Sequence, residues 1–153
     1  MGCHMLVRRD RAMLGVTIML DVAFHGGRAA TVSAADIADR LGMARRGMEP
    51  LLQSLSRGAL LESVRGPRGG YRLARPRRDI KLSEIVSVAC ADNPEVTEGP
   101  SGLLQDAVVD QLWQELDVIV ASRLDGLTLD DLMRRAATAG MRRPTMEPIT
   151  FAI

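Results

Sequence analysis

The sequence predicts a mainly α-helical chain that carries one small β-hairpin, and three observations favour this fold class. Apolar residues recur at three- and four-residue spacing in six segments, which is the period of an amphipathic helix. Two short apolar runs flank a connection rich in glycine and proline, a pattern typical of a hairpin. With 153 residues, 46% of them hydrophobic, the chain can form one domain with an added oligomerisation element.

The first two helices are indicated by their ends. One helix is predicted over Arg8–His25, because one face is apolar and a glycine pair follows it. A very short strand is expected at residues 31–32. Ser33 then starts a second helix, since its hydroxyl can accept from a free backbone N–H and Asp36 favours the positive helix end. Gly42 ends this helix.

The third helix follows within two or three residues and runs from about Ala44 to Arg57. Pro50 lies early in this helix and lacks the N–H that a helix interior uses. Two interpretations stay open: an irregular first turn, or a helix that begins at Glu49-Pro50, where proline is tolerated. Two helices joined by a short turn that contains glycine form a helix-turn-helix.

A hairpin follows this helix pair, with strands predicted over Leu60–Arg65 and Tyr71–Ala74. The sixteen residues of Ser63–Arg78 include six arginines, two prolines and three glycines, and no acidic residue. Glycine and proline can shape a narrow wing, which turns the helix-turn-helix into a winged helix. Three arginines give the wing its charge: Arg65, Arg68 and Arg72.

Positive charge is concentrated early in the chain, although the net charge is only +1. Residues 1–90 carry 15 Arg and Lys against 8 Asp and Glu, whereas residues 91–153 carry 5 against 11. Arginine supplies forked hydrogen-bond donors, and an α-helix fits the major groove. We therefore predict that the winged helix binds double-stranded DNA, with steep salt dependence. Arg75, Arg77 and Arg78 extend the basic strip, and each is equally well interpreted as a contact or as a solvated charge.

Three further helices are expected after the wing. One spans Leu82–Cys90, a hinge loop covers 92–102, and a long helix runs over Leu103–Leu124. Thr128 caps a last helix that ends near Ala139, and the following tail is unstructured or loosely docked. The long helix is apolar over more than one stripe, so it requires a partner surface.

Four stretches of the sequence resemble one family. They are VTIMLDVAFH at 16–25, SAADIADRLGM at 33–43, the segment from Met48 that contains SVRGPRGGYRLA, and LTLDDL at 127–132. Over about residues 6–138 the chain resembles the Rrf-two family of bacterial winged-helix regulators, of the IscR, NsrR and CymR type. The resemblance implies a homodimer with crossing late helices, a palindromic operator, the third helix in successive major grooves and the wings in flanking minor grooves.

The resemblance also implies individual contacts. Arg11 approaches the DNA backbone, and Arg45 and Arg46 begin the recognition helix. Glu49 lies close to the bases, where it can accept from a cytosine amino group; a charge favoured by the helix dipole is the other interpretation. The predicted DNA-binding residues are Arg11, Arg45, Arg46, Glu49, Arg65, Gly66, Arg68, Gly69, Gly70 and Arg72. The predicted dimer interface consists of Leu104, Val108, Leu112, Trp113, Leu116, Ile119 and Val120.

The predicted organisation has four parts: a winged-helix DNA-binding domain at 6–91, the hinge at 92–102, a dimerisation helix with a final short helix at 103–139, and a tail at 140–153. Our leading interpretation is a cytoplasmic, dimeric transcription regulator that acts as a repressor. A winged-helix dimer that binds a protein through its basic wing is the alternative. A small-molecule effector stays open, in a cavity lined by Met and Leu between the wing domain and the dimer helix.

The cysteines depart from the pattern of many relatives, which hold an iron–sulfur cluster on three cysteines of the loop after the wing-side helix. Residues 92–102 contain no cysteine, and Cys90 stands alone on the preceding helix. Because a cluster needs several thiolates, we predict no cluster, no metal and no other cofactor. Cys90 is expected to be buried and structural. The leader-like MGCH before Met5 contributes nothing to these predictions.

Catalytic and membrane functions have little support. The two histidines and two cysteines offer no Ser–His–Asp or Cys–His set, and GPRGG lacks the Lys and Ser or Thr of a phosphate-binding loop. The apolar run AMLGVTIML is much shorter than the roughly 20 residues that span a bilayer.

Overall fold

Six α-helices and one two-stranded antiparallel sheet make up the part of the chain that the computed structural model describes, residues 9–91 and 99–144. The helices are α1 (Arg9–His25), α2 (Ala34–Leu41), α3 (Arg45–Arg57), α4 (Leu82–Ala91), α5 (Asp110–Asp125) and α6 (Leu129–Thr138), and the strands are β1 (Leu61–Val64) and β2 (Gly70–Leu73). The mainly α-helical fold with a small hairpin is confirmed. The predicted start at Arg8, residues 92–98 of the hinge and the tail from 145 lie outside the described residues.

The helix-turn-helix has the caps that the sequence predicts. The hydroxyl of Ser33 accepts from the backbone N–H of Asp36 at 3.1 Å, which starts α2. Gly42 ends α2 in the left-handed region at φ 65°, a conformation that costs glycine little. Arg40 then fixes α2 to α1 through a two-pronged contact with the Asp21 carboxylate, at 2.9 and 2.8 Å. This contact raises the pKa of the Arg40 guanidinium.

The third helix begins at Arg45, next to the predicted Ala44, so the alternative start at Glu49-Pro50 was wrong. Pro50 lies inside α3 and leaves the carbonyl of Arg46 without its usual N–H donor. The helix is held by its apolar face, because four side chains are completely buried: Met48, Leu51, Leu52 and Leu55. Burial of several such side chains outweighs the loss of one backbone hydrogen bond.

The sheet is small and is extended by one residue. Leu61 of β1 lies opposite Leu73 of β2, and both are buried. Val32 adds to the other edge, where its backbone N–H and carbonyl both bond to Tyr71 at 2.8 Å. The strand predicted at residues 31–32 is therefore a single bridge that anchors the start of α2 to the wing.

One hydrophobic core contains side chains from the first four helices, from the sheet and from α6. Gly15 allows α1 and α4 to pack closely, since a Cβ at this position would lie 2.8 Å from the Cβ of Ala89. The residues of α6 that reach this core include Leu129, which is completely buried. The α6 capping box forms as predicted between Thr128 and Asp131, and the helix ends at Thr138.

The long helix predicted over Leu103–Leu124 is found, and it contains one π-turn. Helical residues run without a break over 103–125, with a π-helical turn at Gln105–Val109 directly before α5. The side chain of Gln105 donates to the Asp110 carboxylate at 2.8 Å. This bond spans five residues, which is the spacing of a π-turn.

The end of α5 is tied to the segment that follows the wing. The backbone N–H of Leu82 donates to the carbonyl of Leu127, and that of Leu129 donates to Ile80, both at 2.9 Å. These bonds fix the base of the long helix to the winged-helix domain. In the described ranges, no helix has the length and apolarity needed to cross a membrane.

Candidate nucleic-acid interface

The start of α2, the recognition helix α3 and the wing surround one cleft of about 490 Å³. Its lining includes Ser33 at the cap of α2, Arg45 and Glu49 on α3, and Arg65 on the wing. The structure therefore brings together the helix and the hairpin that the sequence predicted as a single DNA-binding face. The glycines predicted to contact DNA also line this cleft: Gly66, Gly69 and Gly70.

The exposed face of α3 presents both charges and an amide. Arg45 and Glu49 form an exposed ion pair, with Nε 3.1 Å from Oε1. Arg46 is exposed, and its guanidinium makes no ion pair within the described residues. Gln53 lies one turn beyond Glu49 and lines the cleft. A glutamine side chain has both a hydrogen-bond donor and an acceptor, as pairing with the edge of an adenine requires.

The wing tip is shaped by close backbone contacts. A Cβ on Gly69 would lie 2.5 Å from the Val64 carbonyl oxygen, so only glycine fits this turn. The hydroxyl of Thr31 donates to the carbonyl of Arg68 at 2.7 Å and fixes the tip to the segment before α2. The side chains of Arg65 and Arg68 are exposed and make no ion pair within the described ranges. Their charge is available to a duplex.

Arg72 is different, because its charge is paired within the sheet. Its guanidinium donates to both oxygens of Glu62, the residue opposite it on β1, at 3.1 Å each. The pair lowers the pKa of Glu62 and raises that of Arg72. Arg72 therefore contributes less net charge to the wing than the sequence indicates.

Arg11 does not line the cleft. Its Nε donates to the carbonyl of Ala89 near the end of α4, at 2.9 Å, and the side chain is half-buried. This contact leaves only the terminal guanidinium nitrogens of Arg11 for the predicted phosphate contact.

The arginines after the wing divide into two kinds. Arg75 is paired with Glu84 at 3.2 Å, and Arg77 is paired with Asp130 at 2.7 Å. Both pairs connect the base of the wing to later helices, which is a structural role. Arg78 is exposed and makes no ion pair in residues 9–91 and 99–144.

Sequence reasoning missed Gln53, which lines this cleft, and Arg28, whose charge acts on the wing. Gln53 follows Glu49 by four residues, so the helical period of α3 was a signal that could have identified it. No sequence pattern marks Arg28, which follows α1 by three residues. The bridge between Val32 and Tyr71 brings this segment of the chain close to the wing. Its positive charge helps to lower the pKa of Glu62.

The long helix exposes the apolar surface for which the sequence predicted a partner. Of the predicted interface, five side chains are exposed by 42–80%: Leu104, Val108, Leu112, Trp113 and Ile119. Leu116 and Val120 are half-buried. Leu103 and Val118 add further exposed apolar surface, at 88% and 68%.

Comparison with known proteins identifies the family. The sequence model of the Rrf2 family, described as "Iron-dependent Transcriptional regulator", matches residues 9–135. The chain belongs to the Rrf2 family. The regulator IscR of Aliivibrio salmonicida is 37% identical over 129 residues, which cover 81% of this chain and 75% of that protein.

Solved structures of Rrf2 regulators share the fold. IscR from T. potens matches with a TM-score of 0.65 and 32% identity, covering 86% of this chain and 88% of that chain. CymR, the global cysteine regulator of B. subtilis, matches with a TM-score of 0.63 and 29% identity, covering 82% and 94%. The chain is a DNA-binding transcriptional regulator of helix-turn-helix type and not an enzyme.

The family description names iron, so a metal site is to be looked for in this chain. Within the described residues, no group of three or more His, Cys, Asp or Glu side chains is placed to hold a metal. Cys90 is buried as predicted, and packs with Ala12 and Val86 in an apolar cluster. The whole sequence has two cysteines, fewer than a cluster on one chain requires.

The ion pair between Arg72 and Glu62 predicts a substitution that strengthens DNA binding. Replacing Glu62 by glutamine is expected to raise DNA affinity about two- to fivefold at low salt, because Arg72 gains a free charge near the duplex. The dependence of affinity on salt, measured by fluorescence anisotropy, is expected to become steeper. Glu62→Asp keeps the carboxylate and is expected to bind like the unmodified protein. Weaker binding of Glu62→Gln would show that Glu62 itself supports the complex.

Proposed function

We propose that the protein acts in the bacterial cytoplasm as a homodimeric repressor that recognises a palindromic operator without an iron–sulfur cluster. The observation that carries the proposal is the exposed apolar face of the 103–125 helix, which stands on the same chain as the basic cleft. Contiguous apolar surface of this kind is rarely left in water by a stable monomer. A second copy of the chain offers the matching surface.

A two-fold dimer would present two equivalent DNA-binding faces. Such an interface is isologous, so the same helix stripe of each chain packs on its counterpart. Two recognition helices related in this way fit half-sites about 34 Å apart, or one helical turn of DNA. A palindromic operator mirrors this symmetry.

Within each half-site, we assign α3 to the major groove and the wing to the adjacent minor groove. Arg46 and Gln53 flank the Arg45–Glu49 pair on the exposed side of α3. In this complex Glu49 accepts from a cytosine amino group, and Arg45 holds its carboxylate in position. Arg65 and Arg68 place their charges at the wing tip, where the narrow groove attracts arginine.

The cluster-free part of the proposal follows from the thiol count. Cys90 is enclosed by apolar side chains, and the loop at 92–102 contains no cysteine. Regulation then depends on something other than cluster chemistry. Purified protein is expected to show no visible absorption and no stoichiometric iron.

The test is a mobility-shift titration against the DNA upstream of the protein's own gene, at 50 and 200 mM salt. We expect two chains per protected site, a palindromic footprint and affinity that falls by about 10³ or more between the two salt concentrations. Binding of one chain per site would contradict the dimeric operator complex. Absence of salt-sensitive binding would favour a protein-interaction module instead.

A further inference from the structure

A second concave basic site lies on the other side of the wing base. The cleft has a volume of about 470 Å³ and lies between the end of α1, the segment after β2, the start of α6 and Arg143. It is within the range of small-molecule sites, about 300–1,000 Å³. Leu73, the last residue of β2, lines this cleft. Leu73 lies about 10 Å along the strand from the wing tip.

Four arginines line this cleft against one carboxylate. Arg77 bonds to Asp130 at 2.7 Å, and Arg134 shares the same carboxylate at 2.9 Å. These two guanidinium groups lower the pKa of Asp130, so its carboxylate is ionised. Both of its oxygens already accept hydrogen bonds from arginine. Arg28 and Arg78 have no hydrogen bond or ion pair within residues 9–91 and 99–144.

The fourth arginine comes from the start of the tail. Arg143 donates to the carbonyls of Phe24 and Ala23 at the end of α1, at 3.3 and 3.4 Å. These carbonyls form the negative pole of the helix, and the guanidinium neutralises it. The cleft therefore keeps a positive potential where a helix end alone would repel anions.

Several guanidinium groups around one cavity favour an anionic occupant. Like charges at short range are costly, and a carboxylate or phosphate group relieves this cost while matching the guanidinium fork. The remaining lining, Ala23, Leu73 and Pro76, is apolar. A small anion with two or more charged groups on a compact body has the complementary chemistry.

We propose that this cleft binds a small multivalent anion bearing carboxylate or phosphate groups, and that the anion is an effector of DNA binding. As a binding site it stands alone; as an effector site it rests on the proposed function. An anion held by Arg77 and Arg78 competes with Asp130, and so it changes the contact between the base of the wing and α6. The same junction carries the backbone bonds that fix α5 to the winged helix.

The test uses the full-length protein without DNA, titrated calorimetrically with pyrophosphate and with citrate at constant ionic strength. We expect one saturable site per chain for at least one probe. The variant with both Arg28→Ala and Arg78→Ala is expected to lose at least tenfold in anion affinity. Arg46→Ala, which changes the DNA-binding face, is expected to bind the anion as tightly as the unmodified protein. Amide NMR shifts centred on Gly27 and Arg28 would locate the site.

Three results would overturn the proposal. The first is no saturable binding of either probe up to about 10 mM. The second is anion binding that Arg46→Ala abolishes and the Arg28 and Arg78 double variant does not, because the anion then occupies the DNA-binding face. The third is a double variant that loses only DNA affinity, which would make these arginines contacts to the DNA backbone. If the protein bound the anion but bound no DNA, the proposed function would be refuted, and the cleft would still be an anion-binding site.

Discussion

Replacing Arg65 and Arg68 together by alanine is expected to lower operator affinity about 100- to 1,000-fold. Each substitution occurs twice in the proposed dimer, so the double variant would remove four positive charges from its complex with DNA. A loss of about 1 kcal/mol per contact adds up to this change. Both side chains are exposed and unpaired within the described residues, so their loss does not disturb the core.

Salt dependence separates this effect from general damage. Each phosphate contact on B-DNA contributes about −0.9 to the slope of log affinity against log salt concentration. The slope of the double variant is therefore expected to fall by about 3 to 4 units. Fluorescence anisotropy with a labelled operator at several salt concentrations measures both quantities.

Arg135→Ala is the matched control, because this exposed arginine lies on α6, away from the cleft and the wing. It is expected to change affinity less than threefold. If the Arg65 and Arg68 variant kept its affinity and slope, the wing would not be part of the DNA contact. If the control lost as much, the effect would come from net charge alone.

Local chemistry made much of the fold predictable. The serine cap of α2, the glycine that ends it and the threonine cap of α6 each act over a few residues, and each is found where the sequence places it. The π-turn was not predictable in this way. Its backbone hydrogen bond runs from the N–H of Asp110 to the carbonyl of Gln105, and the apolar spacing carries no sign of it.

The close approach of α3 and the wing was predictable, and the free charge of the surface they form was not. Arg72 is neutralised by Glu62, a pairing that depends on the register of the hairpin. Arg11 bonds to a carbonyl 78 residues away, and Arg77 bonds to Asp130 at a separation of 53 residues. Such long-range partners are set by packing, so counting arginines along the chain overestimates the charge that DNA meets.

The arginines of the molecule fall into two groups, those with an ion pair and those without one in the described residues. Those in ion pairs, Arg75 and Arg77, connect the wing to α4 and α6. Those without ion pairs in the described ranges, such as Arg46 and Arg65, are exposed to solvent. The carboxylate partners of Arg75 and Arg77 thus give these two arginines a structural role.

The dimer surface provides the second large prediction. Replacing Val108 and Leu112 together by glutamate is expected to give a monomer at about 10 μM, measured by sedimentation equilibrium. The two side chains are 60% and 48% exposed in the single chain, and α5 contains no fully buried residue. Far-UV circular dichroism is therefore expected to be unchanged. In the dimer, four carboxylates would face one another across an apolar interface, which is strongly unfavourable.

Loss of the dimer is expected to weaken operator binding at least 100-fold. In a dimer the second half-site is bound at an effective concentration of the order of millimolar, and a monomer lacks this advantage. The slope of log affinity against log salt concentration is expected to be half that of the dimer, because a monomer brings one basic face to the DNA and not two. Gln114→Glu adds a carboxylate to the same helix, on its other side, and is expected to leave dimer and affinity unchanged.

This pattern distinguishes dimerisation from direct DNA contact. A variant that is monomeric but binds a half-site with half the salt slope has lost only its partner, since α3 and the wing still act on one groove. If the variant with Val108→Glu and Leu112→Glu remained dimeric, the partner surface would lie elsewhere on the chain. If it became monomeric and kept full operator affinity, recognition would not need two copies, and the exposed helix would serve another partner.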